Sequence, residues 1–284
     1  MSHALSSQGT SVADRIRALV AADEVQLPPL PEVAIRVQEL LGGDGGSLRE
    51  LGELLSQDPA IVASLMRLAN SASYGGLGRI ENLNAAVQRI GLREVGSIVT
   101  GMSLKSHFKQ GNGEKVGILE TLWDHSVTTG FAARQIARRM GERAEMAFLA
   151  GLLHDCGKVL VLMAVDHLEA RGMEVTLTRS ALDELMTELH AELGHTVLTD
   201  WGLPEEVADV ALNHPVFEQG GDDLLLAVQA ANLITRKLGY HLDPDPELDV
   251  LDQPVIDELG LDDVTVATMM IDMEDHLEEM RGLF

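Results

Sequence analysis

At 284 residues with 45% hydrophobic side chains, the chain has material for a sizeable core, in one large domain or two medium ones. Aromatics make up only 3%, so that core must come from Leu, Val, Ile, Ala and Met, which suits helix packing better than an aromatic-rich sheet. A formal net charge of −24 argues against an electrostatic nucleic-acid binder, because phosphates must be neutralised by Lys and Arg.

Almost every segment then reads as helix. Residues 11–20 place Ile16, Leu19 and Val20 on one face. Pro31 suits a first helical position, and the pattern behind it stops at Gly42-Gly43. Ser47-Leu48-Arg49-Glu50 has the capping-box form. Asp58-Pro59 is a second cap-plus-proline start, after which Ile61, Val62, Leu65, Met66 and Leu68 recur at helical spacing. Asn70 to Gly76 breaks the pattern, and helices resume over residues 84–90 and 92–104.

Gly111-Asn112-Gly113 is the best linker candidate, and the charge balance changes there. Residues 1–115 carry 11 basic and 12 acidic side chains, residues 116–284 carry 10 and 33. Beyond the linker, residues 119–140, 143–153, 159–168, 182–200, 204–212, 222–238 and 264–280 read as helices. Residues 174–178 alternate like a strand but are too short to build a sheet. The expectation is an all-α, two-lobed fold: an N-terminal lobe over 11–113, a second lobe over 114–240 and an acidic helical extension over 241–284. The last 44 residues hold 14 acids against Arg281, first of all a solvated helix face. The methionines of the last helix (Met269, Met270, Met273, Met280) read as core or subunit contact, which leaves a homodimer open.

Cys156 is the single cysteine, so no intrachain disulfide can form and a reducing compartment is expected. There is no basic segment followed by an apolar core at the N-terminus, and no glycine-free apolar run approaches the ~20 residues of a membrane span. Cytoplasmic location without membrane insertion is the expectation.

The chemistry concentrates in His154-Asp155-Cys156-Gly157-Lys158, set between apolar stretches. A buried carboxylate or imidazole is costly unless paired, hydrogen-bonded or bound to a metal. Four histidines deserve weighing: His125, His154, His190 and His214. Taken singly, each reads first as a satisfied core residue. His154 and Asp155 are neighbours that point in different directions, so they share a metal only in a groove whose other ligands come from elsewhere. Lys158 either snorkels from a helix end or pairs with an acid. Cys156 reads as a small core residue, and Trp123 and Trp201 as packing anchors.

A histidine, then His-Asp, then a later closing residue is the order found in the HD superfamily of metal-dependent phosphohydrolases. The chain resembles one branch more closely, the HDOD domain of bacterial signalling proteins, over roughly residues 20–240. The stretches that carry the likeness are Leu27-Pro28-Pro29-Leu30-Pro31, Gln57-Asp58-Pro59-Ala60, Arg67 to Ala72, Ala85 to Leu92, Leu122 to Ser126 and Asp200-Trp201-Gly202-Leu203-Pro204.

The resemblance implies a divalent metal (Fe, Mn, Zn or another) held by His125, His154 and Asp155, with Asp155 as bridging or principal anionic ligand. His190 and His214 fall where related cyclic-dinucleotide enzymes place ligands for a second metal. Asp155 and Lys158 would be the catalytic residues of an active member. Asn232, the last candidate metal ligand, offers only a neutral carbonyl oxygen where the superfamily has its closing aspartate, and the Gly-Tyr-Pro signature of the cyclic-dinucleotide enzymes is absent. HDOD domains as a group are regarded as catalytically degenerate. The expected function is therefore a regulatory module that binds a signalling protein or a nucleotide-like ligand with little or no hydrolysis. The alternative is a metal-dependent phosphohydrolase acting on a nucleotide or cyclic dinucleotide.

Overall fold

Apolar periodicity and end caps together sort the described residues into fourteen helices. The computed structural model describes residues 11–42, 47–71, 74, 78–105, 108, 114–141, 143–173 and 178–281. In chain order the helices are α1 (Val12–Ala21), α2 (Glu32–Gly42), α3 (Leu48–Leu55), α4 (Pro59–Ala69), α5 (Leu83–Ile90), α6 (Leu92–Leu104) and α7 (Glu114–Met140). There follow α8 (Ala144–Leu153), α9 (Cys156–Ala170), α10 (Arg179–Asp200), α11 (Glu205–Asn213), α12 (Asp223–Lys237), α13 (Pro254–Glu258) and α14 (Asp263–Arg281). No strand occurs among the described residues, and the fold is all-α. The expected linker 111–113 and most of the strand-like stretch, 174–177, lie outside them.

The caps form as their residue types dictate. Ser47 Oγ accepts from Glu50 N at 3.1 Å while Glu50 Oε2 accepts from Ser47 N at 3.0 Å, a reciprocal box at the start of α3. Asp58 Oδ1 accepts from Ala60 N and Ile61 N at 2.8 and 3.2 Å, starting α4. Among the differences from the pattern reading, two helix starts and one short helix bear on the fold. Helix α7 begins five residues earlier, at Glu114, and α9 begins at Cys156, so Gly157 and Lys158 lie in its first turn. The five-residue α13 is too short to show a periodicity.

Helix α8 is apolar all round and sits at the centre: every residue from Ala147 to Leu153 is buried. It packs against α7, α11 and α12, with α6 reaching it from the N-terminal side. The run Ala144–Ala170 is long and apolar enough to span a membrane by composition, but 94% of its most apolar window is buried inside the protein. Helix α1 packs on α9 and α10, α2 lies between α3 and α6, and α14 lies on α7. Met269 and Met273 are buried in this last packing. Trp123 is buried with its ring 5.0 Å from that of Phe108, a packing anchor.

Charge also joins the helices. Buried Glu94 of α6 accepts from Arg134 and Arg138 of α7 and from the Tyr74 hydroxyl; the Arg138 bond is 2.9 Å. The Arg134 guanidinium lies 4.7 Å from the Phe131 ring centroid.

Two glycine crossings position the site. A Cβ on Gly151 would stand 2.9 Å from both Gly130 Cα and Thr129 O, so α7 and α8 meet backbone to backbone. A Cβ on Gly157 would stand 2.0 Å from His190 O, so α9 and α10 meet still more closely. The first crossing carries His125 and His154, the second carries Asp155 and His190.

Candidate metal centre

The chain breaks between α8 and α9, at His154-Asp155. His154 caps the C-terminus of α8, where the last carbonyls have no partner in the helix. Its Nδ1–H donates to one of them, Gly151 O, at 2.7 Å. His214 repeats the device at the end of α11, donating from Nδ1 to Ala211 O at 3.0 Å. His190 lies inside α10 and donates from Nδ1 to Met186 O at 2.8 Å. His125 of α7 donates from Nδ1 to Tyr240 O, also at 2.8 Å. A carbonyl only accepts, so all four rings carry a proton on Nδ1, and in the neutral form each presents a lone pair at Nε2.

Those four lone pairs converge on one carboxylate. The Nε2 atoms of His125 and His154 lie 3.2 Å apart and 3.4 and 3.5 Å from Asp155 Oδ2. The Nε2 atoms of His190 and His214 also lie 3.2 Å apart, each 3.6 Å from Asp155 Oδ1. Two unprotonated ring nitrogens facing each other at that distance repel unless a cation stands between them. The two triads His125–His154–Asp155 and Asp155–His190–His214 are each compact enough for one ion, and all five residues are buried.

Asp155 holds the N-cap position of α9, yet its side chain makes no capping bond. Oδ2 instead accepts from Lys158 Nζ at 2.5 Å, and Oδ1 has no hydrogen-bond donor among the described residues. A buried carboxylate oxygen left without a donor fits one that binds a cation. Burial alone would raise the Asp155 pKa, but the Lys158 ammonium bonded to Oδ2 works against it, and the carboxyl is held well below its usual range. Burial pushes His154 well below an ordinary histidine and His190 down to about 4. Neutral imidazole and ionised carboxylate are the forms that ligate metals. The carbonyl behind each Nδ1–H is the usual outer partner of a metal-bound histidine. The donor set of imidazole nitrogens and carboxylate oxygens suits Fe, Mn or Zn, and these buried groups could hold such ions.

The structure thus brings together His125, His154, Asp155, Lys158, His190 and His214. Asn232 stands beside them on α12, lining a cavity of about 250 Å³ that His214 also lines, and its Oδ1 has no donor. Cys156 is a buried core residue whose thiol burial, with Asp155 adjoining, pushes up to about 12.

His241 is a site residue that sequence reasoning passed over. Its ring meets that of His125 edge to face, centroids 4.8 Å apart, and burial lowers it to about 4. Its Nδ1 accepts from Asp243 N at 2.9 Å, which leaves the proton on Nε2. The signal available was its place just past the end of α12, next to the Tyr240 carbonyl that holds His125. Thr129 and Thr235 form a further layer, their hydroxyls 3.2 Å apart behind His125.

Known proteins place this arrangement. The fold is similar to that of a candidate metal-dependent phosphohydrolase from Shewanella amazonensis SB2B, 27% identical, with a TM-score of 0.75 over 96% of this chain and 97% of that one. It is also similar to an HDOD domain protein of unknown function from Geobacter sulfurreducens, 23% identical, with a TM-score of 0.72 over 96% and 98% of the two chains. An uncharacterized protein of Treponema pallidum is 29% identical over 238 residues, which make up 80% of this chain and 44% of the relative. This chain therefore spans less than half the length of that curated relative. The HDOD domain family model matches residues 27–216, well over half the chain, and takes in His125, His154, Asp155, His190 and His214. With the all-α fold and that match in agreement, the chain belongs to the HDOD domain family.

Proposed function

We propose that this chain is a regulatory HDOD module whose four histidines and Asp155 hold a pair of divalent cations, and that the loaded centre captures a phosphoryl-bearing ligand with little or no hydrolysis. One observation carries the reading: two pairs of histidine Nε2 atoms face each other at 3.2 Å across the two oxygens of one carboxylate, each ring tied through Nδ1 to a backbone carbonyl. His125 and His154 with Asp155 Oδ2 would hold one ion, His190 and His214 with Oδ1 the other. Such ions supply Lewis-acid stabilisation of phosphoryl oxygens.

Charge then selects the ligand. Two dications against a single carboxylate leave the centre strongly positive, and Lys158 adds to it. In a buried setting that excess calls for an anion. Asn232 contributes a neutral amide in place of a further carboxylate, so the balance falls to the ligand. Ligand occupancy is the signal, and a partner protein reads it through non-covalent contact.

Metal analysis after loading with Mn, Fe or Zn at neutral pH tests the reading. Two equivalents per chain are expected, with both lost in Asp155→Ala and one kept in His125→Ala. A chain that stays metal-free after loading overturns it. The second reading, a metal-dependent phosphohydrolase, draws support from the similarity to the Shewanella protein of that description. Turnover of a phosphomonoester or cyclic dinucleotide by the loaded chain, abolished by Asp155→Ala, would decide for it.

A further inference from the structure

The cavity beside the metal centre has chemistry of its own. Its volume is about 250 Å³, below the ~300 Å³ at which pockets for drug-sized ligands begin. His214, one of the candidate metal ligands, lines it with Asn232 and His241. Gln229 and Asn232, one turn apart on α12, line it together, with Phe217 and Pro254 among its apolar walls. Gln253, Pro254 and Val255 wall it from beyond residue 216, outside the part of the chain that the family match covers.

Gln229 is the decisive residue. It is 6% exposed, and its Nε2 donates to two carbonyls, His214 O at 3.2 Å and Val216 O at 2.8 Å. Those bonds fix the amide, because flipping it would set oxygen against oxygen. Its Oε1 is thereby committed as an acceptor, and it has no donor. Asn232 Oδ1 is a second acceptor in the same condition. Buried acceptors of this kind need a donor, and none among the described residues supplies one.

From this we infer that the cavity takes a small phosphomonoester whose body carries hydroxyl or amine donors. The phosphate faces the cation pair and the donors bond to Gln229 and Asn232. The inference rests on the two-cation reading above. The cavity has room for the body of a triose- or tetrose-sized phosphate and not for a cyclic dinucleotide. His241 offers its Nε2–H to the ligand. Arg236 at the rim is held in place by Asp243, with Nη2 2.7 Å from the carboxylate.

Calorimetry on the Mn-loaded chain with phosphonates, which cannot be hydrolysed, tests this without an activity readout. Propylphosphonate and 2,3-dihydroxypropylphosphonate have the same length and differ in two donors. The diol is expected to bind about tenfold more tightly, the worth of one or two added hydrogen bonds. Equal affinity for the pair, or tighter binding of cyclic di-GMP than of the diol, overturns the inference while leaving the cations in place. If the diol advantage is present but survives Val255→Phe, which fills the cavity from the wall farthest in sequence from the metal ligands, the donors are being read elsewhere and the inference fails. Metal content of the same Val255→Phe sample shows that it has folded. A chain that takes up no metal overturns both this inference and the reading beneath it.

Discussion

Gly157→Ala offers the sharpest test of how the helices build the centre. The added Cβ would stand 2.0 Å from His190 O and 2.6 Å from Gly194 N, where real Cβ atoms essentially never come within 3.0 Å. Both are backbone atoms inside α10, so no side chain can turn aside and α10 must retreat from α9 by at least about 1 Å. Overpacking of this kind costs about 1–3 kcal/mol, or about 2–12 °C in Tm for a domain of this size. His190 travels with α10, and its Nε2 leaves its place 3.6 Å from Asp155 Oδ1 and 3.2 Å from His214 Nε2. His125 and His154 do not depend on α10. The expected outcome is a lowered Tm with one of two metal equivalents lost, read by thermal unfolding and metal analysis on one sample. Gly194→Ala is the control, since its Cβ would meet nothing nearer than 3.5 Å and should leave both equivalents bound. A Gly157→Ala chain with two equivalents and an unchanged Tm would refute the crossing as the source of the geometry.

Three further outcomes follow from buried charge. In the metal-free chain His190 is lowered to about 4 from an ordinary value near 6.5, so the unfolded state binds more protons between those values. Stability is full above about pH 6.5 and falls as pH drops towards 4, by about 3 kcal/mol from this group alone; denaturant titrations across that range should trace it. Cys156, buried and pushed up to about 12, should resist thiol reagents at pH 8 until the chain is unfolded, and rapid labelling of the native protein would contradict its placement. Arg134→Ala leaves Glu94 buried with Arg138 as its one remaining cation among the described residues, and a loss of about 3 kcal/mol is expected with metal stoichiometry unchanged, by denaturant unfolding and metal analysis.

The all-α fold was legible because the local signals agree with the packing. Ser47 with Glu50 and Asp58 with Pro59 start helices where a cap must, and the apolar run before His154 is the buried central helix. The residues of the centre were legible only through the order of motifs in a known family, since no periodicity distinguishes His125 from a core histidine. Gly157 stood in the most conspicuous run of the chain, yet its role depends on which backbone lies opposite, and that is a property of the α9–α10 crossing. His241 was hidden for a related reason: it sits in a loop whose path back to His125 no local pattern records. Its neighbour Tyr240 acts through a carbonyl, which every residue has.

The balance between capture and turnover comes down to the groups that could move a proton near the cations. A general base works best with a pKa near the working pH. Lys158 is bonded to Asp155 Oδ2, and Asp155, held well below the usual carboxylate range, is committed to its partners. His241 is lowered to about 4, and its Nδ1 already accepts from Asp243 N, so it reaches the cavity as an N–H donor. Asn232 and Gln229 bring only amides. These groups are arranged to hold a ligand. In the proposed reading, a cation-loaded centre walled by such donors and acceptors captures an anion reversibly, which is what a regulatory module requires of its ligand site.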